Sequence, residues 1–167
     1  MAEEVKKEES VPEEKQVCCP EFKSHIWNEK EISWNGKFFV KKKLVAFFKK
    51  PIGMGSSLEK INKKIEGSKA KTERPLVVID NKGLFSANMY IEVTKPVPKC
   101  NDVKLTANFL SKVFEGESKN THKWIKEMKQ YVKSKGKVAK RNYFYYPYCP
   151  ECAKKFGKNY LVILAEI

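Results

Sequence analysis

The 167 residues carry a formal net charge of +14, with 41% hydrophobic and 12% aromatic side chains, which is enough apolar surface to close one core. No run of roughly eighteen apolar residues is present, and the first residues, MAEEVKKEESVPEEKQ, are acidic and polar. A membrane span, a membrane partner and a secretory leader are therefore not expected, and the chain is placed in the cytoplasm. Every basic residue is lysine except Arg74 and Arg141, which argues against base-specific reading of nucleic acid, since that task favours arginine's planar fork.

The first sixteen residues hold six Glu and three Lys and read as a disordered charged tail, because they offer little to bury. Residues 17–30 form an irregular lead-in anchored by Phe22, Ile26 and Trp27. Residues 31–167 then read as one domain. Asn35-Gly36 suits a two-residue hairpin turn leading into the strand FFVKKKLVAFFKK. Ser56 and Glu59 have the spacing of a capping box, opening a helix whose Leu58, Ile61 and Ile65 share a face and whose end is Gly67. Strands PLVVID and ANMYIEVTKPV follow, with Asp80 beside Asn81 as a turn residue.

The order then recurs. LTANFLSKVFEG is a strand, Ser118 or Asn120 caps a helix carrying Trp124, Met128, Tyr131 and Val132 on one face, and RNYFYYPY and NYLVILAEI are strands. The expected fold is α+β: two pseudo-symmetric strand-helix-strand-strand repeats, about 31–98 and 103–167. Their antiparallel sheets should carry helices on one side and a concave ligand groove on the other.

Three sets of residues could carry chemistry. Trp34, Phe47, Phe85, Tyr90, Phe114, Trp124, Tyr143 and Tyr145 are the aromatics expected to line the groove, with core packing the plainer reading for any one of them. Cys149-Pro150-Glu151-Cys152 is a C-x-x-C, and Cys18-Cys19 adds a second pair; reduced buried thiols are the simpler reading and a zinc site the alternative, vicinal cysteines seldom turning both thiols to one metal. Glu92 and Glu115 are the candidate catalytic carboxylates. His25 and His122 lack a nucleophile at any diagnostic spacing and are expected at the surface.

The duplicated plan, the segment FLSKVFEGESKNTHKWIKEMKQYVKSKGK and the closing NYLVILAEI resemble the GyrI-like small-molecule-binding domains, themselves related in shape to the SOUL haem-binding proteins. CCPEF, YIEVTKPV and CPECAKKFGKNY are similar to a cysteine-containing subgroup often labelled hydrolase. The resemblance implies a groove for a small hydrophobic or cationic molecule, with no cofactor required. In some relatives it implies hydrolysis of cyclopropane-bearing alkylating compounds. Many GyrI-like domains place a ligand-facing Glu in the penultimate strand; Tyr143 stands there in this chain, so that role does not carry over. The leading reading is a small-molecule-binding protein; a hydrolase of reactive electrophiles and a non-specific basic nucleic-acid binder are the alternatives.

Overall fold

The computed structural model describes residues 18–167; the tail expected over residues 1–16 lies outside them. Its elements are β1 (Lys30–Phe47), β2 (Lys50–Pro51), α1 (Met54–Gly67), β3 (Val77–Asn81), β4 (Ser86–Glu92), β5 (Asp102–Glu115), α2 (Thr121–Ser134), β6 (Arg141–Tyr145), α3 (Pro150–Phe156) and β7 (Tyr160–Glu166). All strand pairs are antiparallel. The order β1-β4-β3-β6-β7-β5 closes where β5 returns to pair with β1, so six strands form a barrel, and β2 is a short hairpin arm on β1. The expected open arrangement, with helices on one side and a concave groove on the other, is thereby corrected: the sheet closes on itself through the β1–β5 pairing.

The correction begins at Asn35-Gly36. The expected turn there is a β-bulge inside one 18-residue strand. The register steps from Trp34 opposite Ala107 to Lys37 opposite Leu105, so three positions on β1 are matched by two on β5. Gly36 takes φ +64, and its amide donates to the Thr106 hydroxyl at 2.9 Å. The bulge keeps β1 running on, so that beyond it the strand pairs with β5 on one side and β4 on the other. It also reverses the alternation of side chains, which is why Trp34 and Phe39 both point inward.

The interior is identified by contacts between strands that are not neighbours. The Tyr143 ring of β6 lies 6.1 Å from Trp34 of β1, 5.7 Å from Phe109 of β5 and 5.7 Å from Tyr90 of β4. Such contacts are reached only across a lumen. Val78, Val162 and Leu164 complete this filling. The alternate residues, among them Met89, Ile91, Leu110, Phe144 and Ile163, face outward and pack with Ile61 and Ile65 of α1 and Trp124, Met128 and Val132 of α2. Both faces of these strands are covered, hence their nearly unbroken apolar sequences.

Local signals were partly overridden. α1 starts at Met54 behind a left-handed Gly53, without a side-chain cap. The Ser56 hydroxyl donates back to the Gly53 carbonyl at 3.1 Å, and Glu59 pairs with Lys63 at 3.4 Å, so no capping box forms. Neither Ser118 nor Asn120 caps α2; a 3-10 turn over Ser118–Asn120 leads into it. The strand expected through Tyr148 stops at Tyr145, and the chain turns into α3.

Candidate functional site

Two constellations lie at opposite ends of the barrel. At one end the lead-in segment acts as a stopper. Phe22 packs its ring 5.0 Å from Tyr160, and its amide donates to the Tyr148 hydroxyl at 2.8 Å. Trp27 sits 5.2 Å from Tyr145, and its carbonyl accepts from Ser111 at 2.6 Å. Tyr148 in turn stacks on Phe156 of α3 at 4.6 Å.

The cysteines fasten this stopper. Cys18 and Cys19 come from the lead-in, Cys149 caps the N-terminus of α3, and Cys152 is in that helix's first turn. Their four sulfurs all lie within 4.8 Å of one another. Cys18 Sγ is 3.4 Å from Cys149 Sγ, 3.4 Å from Cys152 Sγ and 3.8 Å from Cys19 Sγ. A tetrahedral zinc with Zn–S bonds of ~2.3 Å separates its sulfurs by ~3.8 Å, so the spacing fits that ion. Backbone amides also point at sulfur: Cys152 N–H donates to Cys149 Sγ at 3.4 Å and Cys149 N–H to Cys19 Sγ at 3.5 Å, although burial outweighs that bond and raises the Cys19 thiol. Burial pushes the Cys152 thiol up, but hydrogen bonds with Cys18, Cys149 and Cys19 outweigh it and bring the group down to about 7. Cys18, bonded to Cys152, Cys149 and Cys19, is raised to about 12. The C-x-x-C lies between the paired strands β6 and β7, where it opens α3, and both members of the vicinal pair reach the cluster.

At the other end the lumen turns polar. Alternation from Val78 brings Asp80 inward, opposite Asn88, and Asn88 stands opposite Lys43. The Asp80 side chain is only 4% exposed, and Arg141 Nη1 lies 3.8 Å from its Oδ2. Lys82 Nζ forms an ion pair with the same oxygen at 3.0 Å, Arg141 stays beyond hydrogen-bond distance, and among the described residues Oδ2 accepts no hydrogen bond. Arg141 donates to the Tyr143 hydroxyl at 3.2 Å, and Lys41 stands 5.9 Å over the Tyr90 ring. Burial, helped by Tyr143 and Asp80 nearby, raises the Tyr90 phenol to about 12. Burial also raises Tyr143, against the pull of Arg141's hydrogen bond. Glu166 stands opposite Arg141, so this end holds a second carboxylate beside its cations and neutral phenols; a buried carboxylate that accepts no hydrogen bond can take a proton from water beside cations that hold a developing anion.

The residues singled out in the sequence are dispersed. Trp34, Tyr90 and Tyr143 fill the lumen, while Tyr145 lies beneath the stopper. Phe114 and Trp124 stack at 5.6 Å under α2. Phe47 and Phe85 are exposed at a loop tip. Glu92 uses both oxygens structurally, one 3.0 Å from Lys37 and one accepting from the Leu76 amide at 3.0 Å; Glu115 is exposed at the end of β5. Two surface hollows, of about 420 Å³ beside α1 and about 250 Å³ beside Tyr131, touch none of the eight aromatics. Asp80 and Arg141 were not read as site residues. The available signal was the alternation Val78-Ile79-Asp80, which pairs the carboxylate with an inward valine rather than with the following turn.

These features define a closed antiparallel barrel, stoppered at one end and polar at the other. A family model described as bacterial hydrolase matches residues 9–167, and the chain belongs to that family. No curated protein matches the sequence. Among the described residues no helix is long and apolar enough to cross a membrane.

Proposed function

We propose that this protein is a hydrolase whose reaction takes place at the polar end of the barrel, with Asp80 as general base and Arg141 and Lys82 as the groups that receive negative charge. The observation that carries the reading is the buried Asp80 carboxylate, whose Oδ2 is charge-paired with Lys82 and Arg141 but accepts no hydrogen bond among the described residues, which leaves an acceptor position for a reacting water. In the step, a water proton passes to Asp80 Oδ2 and the water oxygen bonds the electrophilic carbon. The bond from that carbon to its leaving group breaks, and the electron pair settles on a substrate oxygen held by Arg141 and Lys82. Tyr143, fixed by Arg141, positions that cation. Substrates that place charge on oxygen fit the site: simple esters, or a strained ring conjugated to a carbonyl, the class suggested by the likeness to GyrI-like domains.

The four cysteines supply structure in this reading. Four thiolates complete the coordination of Zn²⁺ and leave it no open position, the pattern of a structural site rather than a catalytic one. Bound there, zinc would tie Cys18 and Cys19 of the lead-in to α3.

The test is hydrolysis of a panel of p-nitrophenyl esters and of a cyclopropane-bearing alkylator. Asp80→Asn should lower kcat/KM by about 10²–10⁴-fold, the usual worth of a general base, and Glu115→Gln should leave it unchanged. A wild-type rate in Asp80→Asn would remove the proposal.

A further inference from the structure

The exposed apolar residues are unevenly spread. Val45, Phe47, Phe48, Ile52, Leu84 and Phe85 are each 48–69% exposed, and all six lie at one place, where the β1–β2 hairpin meets the β3–β4 loop. Their contiguity is fixed by the backbone. The Ala46 amide donates to the Phe85 carbonyl at 2.9 Å, Lys49 to Leu84 at 3.0 Å, and Ile52 to Val45 at 2.9 Å. The Phe48 ring is 4.7 Å from Phe47 and 6.1 Å from Phe85. Phe48 and Lys49 hold the turn at φ 46 and φ 67, a region that bulky residues avoid and that glycine would occupy freely. Hydrophobic side chains are thus kept in water on a strained turn, where a soluble surface gains nothing from them.

The exposed charge around the tip is basic, and the neighbouring acid, Asp80, is buried and paired with Lys82. Lys43, Lys49, Lys50 and Lys82 flank it, and no acidic residue occurs from Lys37 to Ile52 or from Asn81 to Ile91. The patch projects from a hairpin and a loop, and so offers a convex tip. A fluid interface accepts projecting aromatics between its headgroups, and lysines beside them meet negative lipid phosphates. We propose that this tip docks the protein on an anionic bilayer surface, with Phe47, Phe48 and Phe85 inserted at headgroup depth. Docking of this kind needs no long apolar segment, so the membrane partner that the sequence did not suggest enters through loops. Lys43 and Asn88, which lie beside Asp80, are two residues from Val45 and Ser86 on paired strands, so the polar end of the barrel would stand next to the lipid. The inference rests on this surface and not on the chemistry assigned to Asp80.

Flotation of the full chain with phosphatidylcholine vesicles, plain or doped with phosphatidylglycerol, tests it. Binding is expected to the doped vesicles alone, weakening as salt screens the lysines. The Phe47→Ser/Phe48→Ser/Phe85→Ser variant should bind roughly tenfold or more weakly, since its apolar contribution is gone, and Lys49→Glu/Lys50→Glu should do the same. Because these side chains are exposed, the thermal melts of both variants should match the wild type. Absence of binding, equal binding to both vesicle types, or wild-type binding by the triple-serine variant overturns the proposal. So does concentration-dependent self-association that the triple-serine variant abolishes, which would place a second copy of the chain on the patch.

Discussion

The two ends of the barrel are built on opposite principles. At the stoppered end polar groups find partners: the Phe22 amide meets Tyr148, Ser111 meets Trp27, and four sulfurs converge. At the other end Asp80 is buried with an oxygen that is paired with Lys82 and Arg141 but accepts no hydrogen bond among the described residues, beside phenols whose protons burial retains. A protein that only needed to be stable would not leave the second end in that condition. The contrast teaches that stability is concentrated where the chain is fastened and withheld where a reacting molecule would complete the hydrogen bonding.

Substitutions at the two ends should therefore separate stability from activity. Metal removal should have the largest effect on folding: with free zinc a thousand times above its Kd, the bound ion stabilises by about 4 kcal/mol, so a chelator should lower Tm and expose Trp27 to quenchers. Metal analysis of protein purified without added zinc should find one zinc per chain. Tyr148→Phe deletes the acceptor for a partly buried amide and should cost about 1–3 kcal/mol in denaturant unfolding. Asp80→Asn, by contrast, removes a buried charge whose two cation partners, Lys82 and Arg141, are part-exposed and stay solvated, and its stability should stay within about 1 kcal/mol of wild type or rise. A large loss there would make Asp80 a structural residue and blur the distinction. Smallest is Ser56→Ala, expected to change stability by less than about 0.5 kcal/mol, because Ser56 caps no amide.

Much of this was legible in the sequence. The helical faces of Ile61 and Ile65 and of Trp124, Met128 and Val132, and the strands around Val78, Tyr90, Phe109 and Ile163, follow from hydrophobic period alone. Closure did not follow, because Asn35-Gly36 has the same local chemistry in a turn and in a bulge. The choice is made by Thr106 and the pairing of β1 with β5, about seventy residues away. α3 was hidden because Tyr145, Tyr146 and Tyr148 prolong a strand-like pattern past the true strand end. The cysteine cluster was legible as composition but not as geometry: whether vicinal thiols converge depends on the lead-in folding back over the barrel. Asp80 was misjudged since a carboxylate next to Asn81 looks like turn chemistry, and only its neighbours across the sheet place it in the lumen.

The most direct test compares one quantity, kcat/KM on the same ester, in zinc-loaded wild type, in chelator-treated wild type and in Asp80→Asn, at a temperature where all three are folded. Assigning chemistry to one end and fastening to the other requires equal values for the first two and at least a hundredfold lower value for the third, as loss of a general base entails. Equal values for wild type and Asp80→Asn, or activity that disappears with the metal while the fold persists, would contradict it.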